Sequence, residues 1–269
     1  MVTVSKKRAM MLLTALLLQG HPPTWSQSTQ EGTELLVIGV VHSRNRNVNH
    51  RTLREVLDRY RPDLVLWEQA EPFKPVFGLF AAHALRIARP PVEQLALQRF
   101  HRKNRTIPIL GFDTLLPSRR EWIRKHYARF YQFHDALDGA GMGGPDSAAY
   151  DLYASITNAF HDGYLSGTLS ELNRPECYRQ EFLLDSLEDR NIRLGERHLP
   201  DSSLVSGYRD FVKADQARDA FMVRRILQLC SGQQWRRVVV LTGLAHKYYL
   251  LDELGHRAGT SLHLRDWMD

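Results

Sequence analysis

The sequence predicts an α/β fold: a three-layer, mostly parallel central sheet whose strand C-terminal edge is capped by a large helical insertion. Three observations carry that prediction. Two apolar, β-branched runs, Glu34 to His42 (ELLVIGVVH) and Arg236 to His246 (RRVVVLTGLAH), each close in Gly-x-x-His. Short continuous apolar runs of that kind read as strands buried on both faces, which parallel sheets require. Two further strand-like runs, DLVLWEQ and TIPILGFD, end in acids, Glu68 and Asp113. From about 115 to 234 no strand pattern occurs, so the middle of the chain reads as helical.

The N-terminus has three parts: a basic Lys6-Lys7-Arg8, an apolar run from Ala9 to Leu18, and a polar stretch reaching Ser26. The apolar run is too short to span a bilayer comfortably and has the length of a signal-peptide core. Residues 1–26 are therefore expected to be a signal peptide and 27–269 a single domain, exported to the periplasm or secreted. No stable membrane anchor is expected after cleavage. The net charge of +6 includes the three cations of the leader; without them +3 remains. That is too little to argue for nucleic acid as a partner. Export would permit a disulfide between Cys177 and Cys230, but each lies in a helical pattern, where a lone buried thiol is usual.

The first strand, 34–41, leads into a helix with Asn49 as N-cap and Leu53, Val56, Leu57 and Tyr60 on one face. Arg61-Pro62-Asp63 ends it, and Leu64–Trp67 follows as the second strand. A mostly helical stretch, 76–104, is interrupted at Pro90-Pro91, and the third strand covers Ile107–Leu110. Within the insertion, 139–147 (GAGMGGPDS) reads as a flexible link and 195–207 as a polar break. The last unit is a strand at 237–242, a helix at 247–258 and a short strand near Ser261–Leu264.

In open α/β sheets ligands bind beyond the strands' carboxyl ends. The residues expected there are His42, Glu68, Asp113 and His246, types that bind divalent metals or move protons. Gly39 and Gly243 let the backbone turn sharply or approach a ligand closely. A third Gly-x-x-His, Gly195 to His198, lies in a charged stretch with no strand before it. On the helix from Tyr208 to Leu229, Arg218 lies within an apolar stripe between Phe221 and Met222. An arginine there needs an acid or a bound anion, so Arg218 is expected to pair with Asp215 or Glu68, or to hold a substrate carboxylate or an oxyanion. No Gly-x-Ser-x-Gly, Walker loop or His-Glu-x-x-His occurs, which disfavours the common serine hydrolases, P-loop enzymes and zincins. The turn at Gly39 after the first strand is not Gly-x-Gly-x-x-Gly, so a dinucleotide fold has no fingerprint there.

Four pieces in order resemble the TraB/PrgY/GumN–Tiki superfamily, which is linked distantly to erythromycin esterases and haem-binding ChaN proteins. They are Gly39-Val-Val-His42, Trp67-Glu68, Arg218-Asp219 with Met222, and Gly243-Leu-Ala-His246. Together they span about residues 34–255. Asp219 stands where Tiki-like members commonly carry asparagine. The resemblance implies an exported hydrolase acting on a peptide, amide or ester bond of a peptide or small-molecule substrate. His42, Glu68 and His246 would hold a divalent ion (zinc, manganese or cobalt), Glu68 alternatively acting as general base. Arg218 would bind developing charge, and Asp113 would orient a histidine from the outer shell. The alternative from the same resemblance is a haem- or small-ligand-binding protein without catalysis.

Overall fold

A computed structural model describes residues 32–42, 45, 47–114, 119–231, 235–257, 259, 261–265 and 267. The expected signal peptide lies outside the described residues. Five strands, β1 (Thr33–Val40), β2 (Leu64–Trp67), β3 (Ile109–Gly111), β4 (Arg237–Gly243) and β5 (Leu262–Arg265), form one all-parallel sheet in the order β3-β2-β4-β1-β5. The helices are α1 (His50–Tyr60), α2 (Leu79–Ala84), α3 (Val92–Lys103), α4 (Arg119–Asp138), α5 (Gly144–Ser166), α6 (Leu169–Leu172), α7 (Pro175–His198), α8 (Ser202–Cys230) and α9 (Leu244–Arg257).

The side-chain alternation of β1 builds two layers. Leu36, Ile38 and Val40 face one way and pack with Leu53 and Leu57 of α1 and Ala96, Leu97 and Phe100 of α3. Leu35 and Val37 face the other way, against Met222, Val223 and Ile226 of α8 and Leu250 and Leu254 of α9. The handedness of parallel crossovers explains this sorting. The chain moves from β1 out to β2 and β3 with α1 and α3 on one face. It then returns to β4 and β5 in the opposite direction, so α8 and α9 must lie on the other face.

A third core is wholly helical: Phe133 and Leu137, Tyr150 and Tyr153, Leu194, and Val205, Tyr208 and Phe211, from α4, α5, α7 and α8. The long helix α8 thus belongs to two cores, its first half to the helical cap and its last turns to the sheet. Arg218 lies at the junction. Gly195 of the third Gly-x-x-His is a packing residue within α7, because a Cβ there would come 2.5 Å from the Phe133 ring.

Most elements lie where expected. Asn49 caps α1 by accepting from Arg51 N at 2.9 Å and Thr52 N at 3.2 Å. Four details differ, the first being that the polar break expected over 195–207 shrinks to 199–201, because α7 runs to His198 and α8 starts at Ser202. β3 begins only at Ile109; α5 takes in Gly144 to Ser147, so much of the expected link is its first turn; and α9 begins at Leu244. His246 therefore sits in a helix's first turn and not in a strand-end loop. Cys177 and Cys230 are free thiols.

Candidate active site at the carboxyl edge of the sheet

The sheet brings Asp113, Glu68, His246 and His42 to one edge in the order of their strands. Glu68 follows β2 and is pinned to β4 by its backbone N–H, which donates to Leu241 O at 3.0 Å. Its buried carboxylate Oε2 accepts from Thr242 Oγ1 at 3.0 Å and from the Gly243 N–H. Oε1 accepts from Arg218 Nη2 at 2.7 Å. Burial opposes the charge on Glu68, but the two histidines and Arg218 outweigh it and hold the carboxyl well below its ordinary range. Glu68 is an ionised carboxylate at any working pH.

Arg218 is tied on every side. Its Nε and Nη2 donate to the two oxygens of Asp113 at 3.0 and 2.8 Å, a bidentate fork, and Nη1 donates to His246 Nε2 at 2.7 Å. With Nη2 also on Glu68, one Nη1 hydrogen is left for a ligand. This corrects the expected role of Asp113. It orients the arginine, and the histidines take their partners elsewhere. Arg218 does pair with Glu68, through a side chain only 11% exposed.

His246 Nδ1 lies 2.7 Å from Asp219 Oδ1, and His42 Nδ1 lies 2.7 Å from Glu93 Oε1. Each imidazole thus has its own buried carboxylate behind it and turns Nε2 towards Glu68. Those Nε2 atoms stand 3.7 Å (His42, to Oε2) and 3.9 Å (His246, to Oε1) from it. The His42 side chain is 34% exposed and that of His246 only 11%, so His42 is the one that reaches solvent. Burial lowers the pKa of His42, but hydrogen bonds to Glu68 and Glu93 prevail and push it up to about 10. For His246 burial also disfavours charge, while Asp219 and Glu68 favour it and push the pKa up to about 10. The contact from Arg218 demands the opposite, since a guanidinium donates only and Nε2 must offer a lone pair. The directed 2.7 Å bond decides the resting form: neutral, with the proton on Nδ1 beside Asp219.

The same argument bears on cations. Asp215, Asp219 and His246 bring ligand atoms within 4.8 Å of one another. With its proton on Nδ1, 2.7 Å from Asp219 Oδ1, His246 cannot also ligate a cation there. In the set His42, Glu68 and His246, Arg218 already holds Glu68 Oε1 and His246 Nε2, so a cation there would have to displace the guanidinium. Gly243 keeps the space of this set open: a Cβ on Gly243 would lie 3.0 Å from His42 Nε2 and 3.2 Å from Glu68 Oε2. Carboxylates behind both Nδ1 atoms are the usual outer shell of metal-bound histidines. Comparison with protein-family models, with curated proteins and with solved structures finds no match for this chain.

Two supports of this edge carried no sequence signal. β5 pairs with β1 only as far as Leu36, leaving the outward peptide of Gly39 without a strand. The buried Asn173 side chain takes its place, accepting from Gly39 N at 2.7 Å and donating to Gly39 O at 2.9 Å. Lys247, 2% exposed, donates to Asn173 O at 3.0 Å and to its Oδ1 at 2.8 Å. The turn leading to His42 is thereby tied to the helix carrying His246. Beside it, Glu181, Asp185 and Glu188 on α7 face Asp215 and Asp219 on α8. Desolvation first, and then mutual repulsion, raises Glu181 well above its ordinary range, Asp185 to about 7 and Glu188 to about 8.

Proposed function

We propose that this chain is an exported hydrolase of the TraB/Tiki type, cleaving a peptide, amide or ester bond at the carboxyl edge of the sheet. One observation carries the reading: the ionised Glu68 lies between two imidazoles, each buttressed at Nδ1 by a buried carboxylate. A carboxylate–imidazole pair fixes ring orientation and leaves Nε2 for proton transfer or ligation.

His42 is the residue positioned to act on a substrate. Glu93 holds its Nδ1–H, and Nε2 faces both the solvent and Glu68 Oε2. With its pKa raised, His42 carries a proton at neutral pH and can deliver it from Nε2 to a leaving group. Glu68 orients what enters the space beside Gly243. Arg218 keeps Glu68 and His246 apart and presents its remaining Nη1 hydrogen to developing negative charge. His42, Glu68 and His246 are the residues that would hold a zinc, manganese or cobalt ion, His246 Nε2 only in place of its bond from Arg218. Such an ion, when bound, supplies a Lewis acid and a water of lowered pKa.

The test is a screen of peptide, amide and ester substrates with and without added zinc, manganese and cobalt. His42→Ala and Glu68→Gln should each lose at least about 100-fold in turnover, the scale of a lost proton-transfer group. Turnover unchanged in His42→Ala would end the proposal.

A further inference from the structure

The segment between β2 and α3 presents apolar side chains to solvent in a way that core packing does not explain. Phe77 is 105% exposed, Ile87 76%, Leu85 70% and Val76 41%. Large exposed side chains scattered singly are ordinary, but these four lie within twelve residues around one short helix. The backbone that carries them is built. Ile87 N donates to Ala82 O at 2.8 Å and Arg86 N to His83 O at 3.0 Å, with Arg86 left-handed at φ 59°. That is a Schellman cap on α2, in which the residue after the left-handed position customarily folds back onto the helix. Here that residue is Ile87, and it points outwards.

Cations surround the same segment. Arg99 and Arg102 of α3 lie over the Phe80 ring, 4.6 and 5.3 Å from its centroid, and the His50 ring is 6.0 Å from Phe80. Burial first, and then Arg99, Arg51, His83 and Arg54, lower the pKa of His50 to about 4, which places these cations together. Arg54 pairs with Asp58 at 3.4 Å. Among the described residues, Arg51, Arg86, Arg99 and Arg102 have no carboxylate at ion-pair distance. Apolar tips on a short ordered segment, flanked by unneutralised arginines, match the interface of an anionic bilayer, where acyl chains lie beneath phosphates. A second copy of this chain is a poor occupant, because a two-fold contact would set this cationic cluster against itself.

We infer that residues 76–87, with Arg51, Arg99 and Arg102, form a docking surface for an anionic phospholipid bilayer. The inference does not depend on the hydrolase reading. It does bear on it, because the docked segment runs directly into the first turn of α3, where Glu93 holds His42.

The test uses the full chain with Phe77→Cys carrying a polarity-sensitive fluorophore, which reports on this segment even if the N-terminal apolar run also meets lipid. Wild-type protein treated identically corrects for Cys177 and Cys230. Vesicles of phosphatidylcholine with one-third phosphatidylglycerol should shift the emission to the blue, and phosphatidylcholine alone should not. Arg51→Glu with Arg102→Glu should raise the lipid concentration at half-shift at least about tenfold, as should 0.5 M salt, through screening. Absence of a shift with anionic vesicles, or a shift insensitive to charge reversal, overturns the inference. So does a concentration-dependent shift without lipid that accompanies dimerisation in sedimentation velocity.

Discussion

Glu93 Oε1 lies 2.7 Å from His42 Nδ1, and its other oxygen is buried without a hydrogen-bond partner among the described residues. The bond to His42 therefore carries most of what stabilises the buried charge. A carboxylate from the opening turn of α3 thus governs a histidine that ends the β1 unit, 51 residues earlier.

The first prediction concerns that pair. His42 has a folded pKa raised to about 10 from an ordinary 6.5. Its contribution to stability is therefore complete below about pH 6.5 and is lost as pH rises through about 10. Glu93→Gln should weaken this dependence and leave the part that Glu68 supplies. Urea unfolding at pH 6 and at pH 10 should show wild type weakening more than the variant over that interval. Proton NMR of the His42 ring should show its titration moving downwards in Glu93→Gln.

Arg218→Ala should be costly to the fold itself. It would leave Asp113 and Glu68, both buried, facing one another without their cation. Breaking a buried ion pair from one side costs about 3–5 kcal/mol. Chemical denaturation measures this. A loss below about 1 kcal/mol would show that the fork is not structural.

Gly243→Ala is the reverse case, small in stability and large in function. The new methyl would crowd His42 Nε2 at 3.0 Å and Glu68 Oε2 at 3.2 Å. Turnover should fall at least about 100-fold, because misplacement by roughly an ångström costs that much. The melting temperature should fall by only a few degrees, for a change of about 1 kcal/mol.

Asn173→Ala should destabilise by about 1–3 kcal/mol, since it strands the Gly39 peptide and removes one of the two Asn173 acceptors of Lys247. Unfolding by urea reports the cost. Asn173→Asp, which keeps an acceptor for Gly39 N and Lys247, should recover part of it.

The raised acids of α7 make a pH prediction of the same sign as that of His42, over a lower interval. Glu188, raised to about 8 from 4.5, is protonated in the fold and ionised in the unfolded chain across that interval. Its burden on stability is absent below about pH 4.5 and grows as pH rises towards 8. Glu188→Gln should therefore raise the melting temperature at pH 8 and leave it unchanged at pH 4.

The layers and the edge were legible because burial on two faces leaves a simple mark, a continuous β-branched run. Strand order was not, since nothing local in RVVVLTG says that it enters between β1 and β2. The four strand-end residues and Arg218 were readable for the same reason, polar groups closing apolar runs. Glu93 was not, because an acid in a helix's first turn is what the helix dipole favours anyway. Its burial comes from tertiary packing. Asp113 looked equivalent to Glu68 from its place after a strand, and only the position of Arg218 on α8 gives it to the guanidinium. Asn173 acts on a peptide 134 residues away and Lys247 acts on Asn173, relations with no periodicity to betray them.

The strand order has a consequence for the birth of the molecule. β1 and β2 are neighbours along the chain but are held apart by β4, which is made some 170 residues after β2. Until Arg237–Gly243 has emerged, neither early strand has its central partner, and both offer open edges. A ribosome-bound or translocating chain thus has no completed sheet to fold into and must be kept from pairing wrongly for nearly its whole synthesis. The sheet can close only after most of the chain has been made.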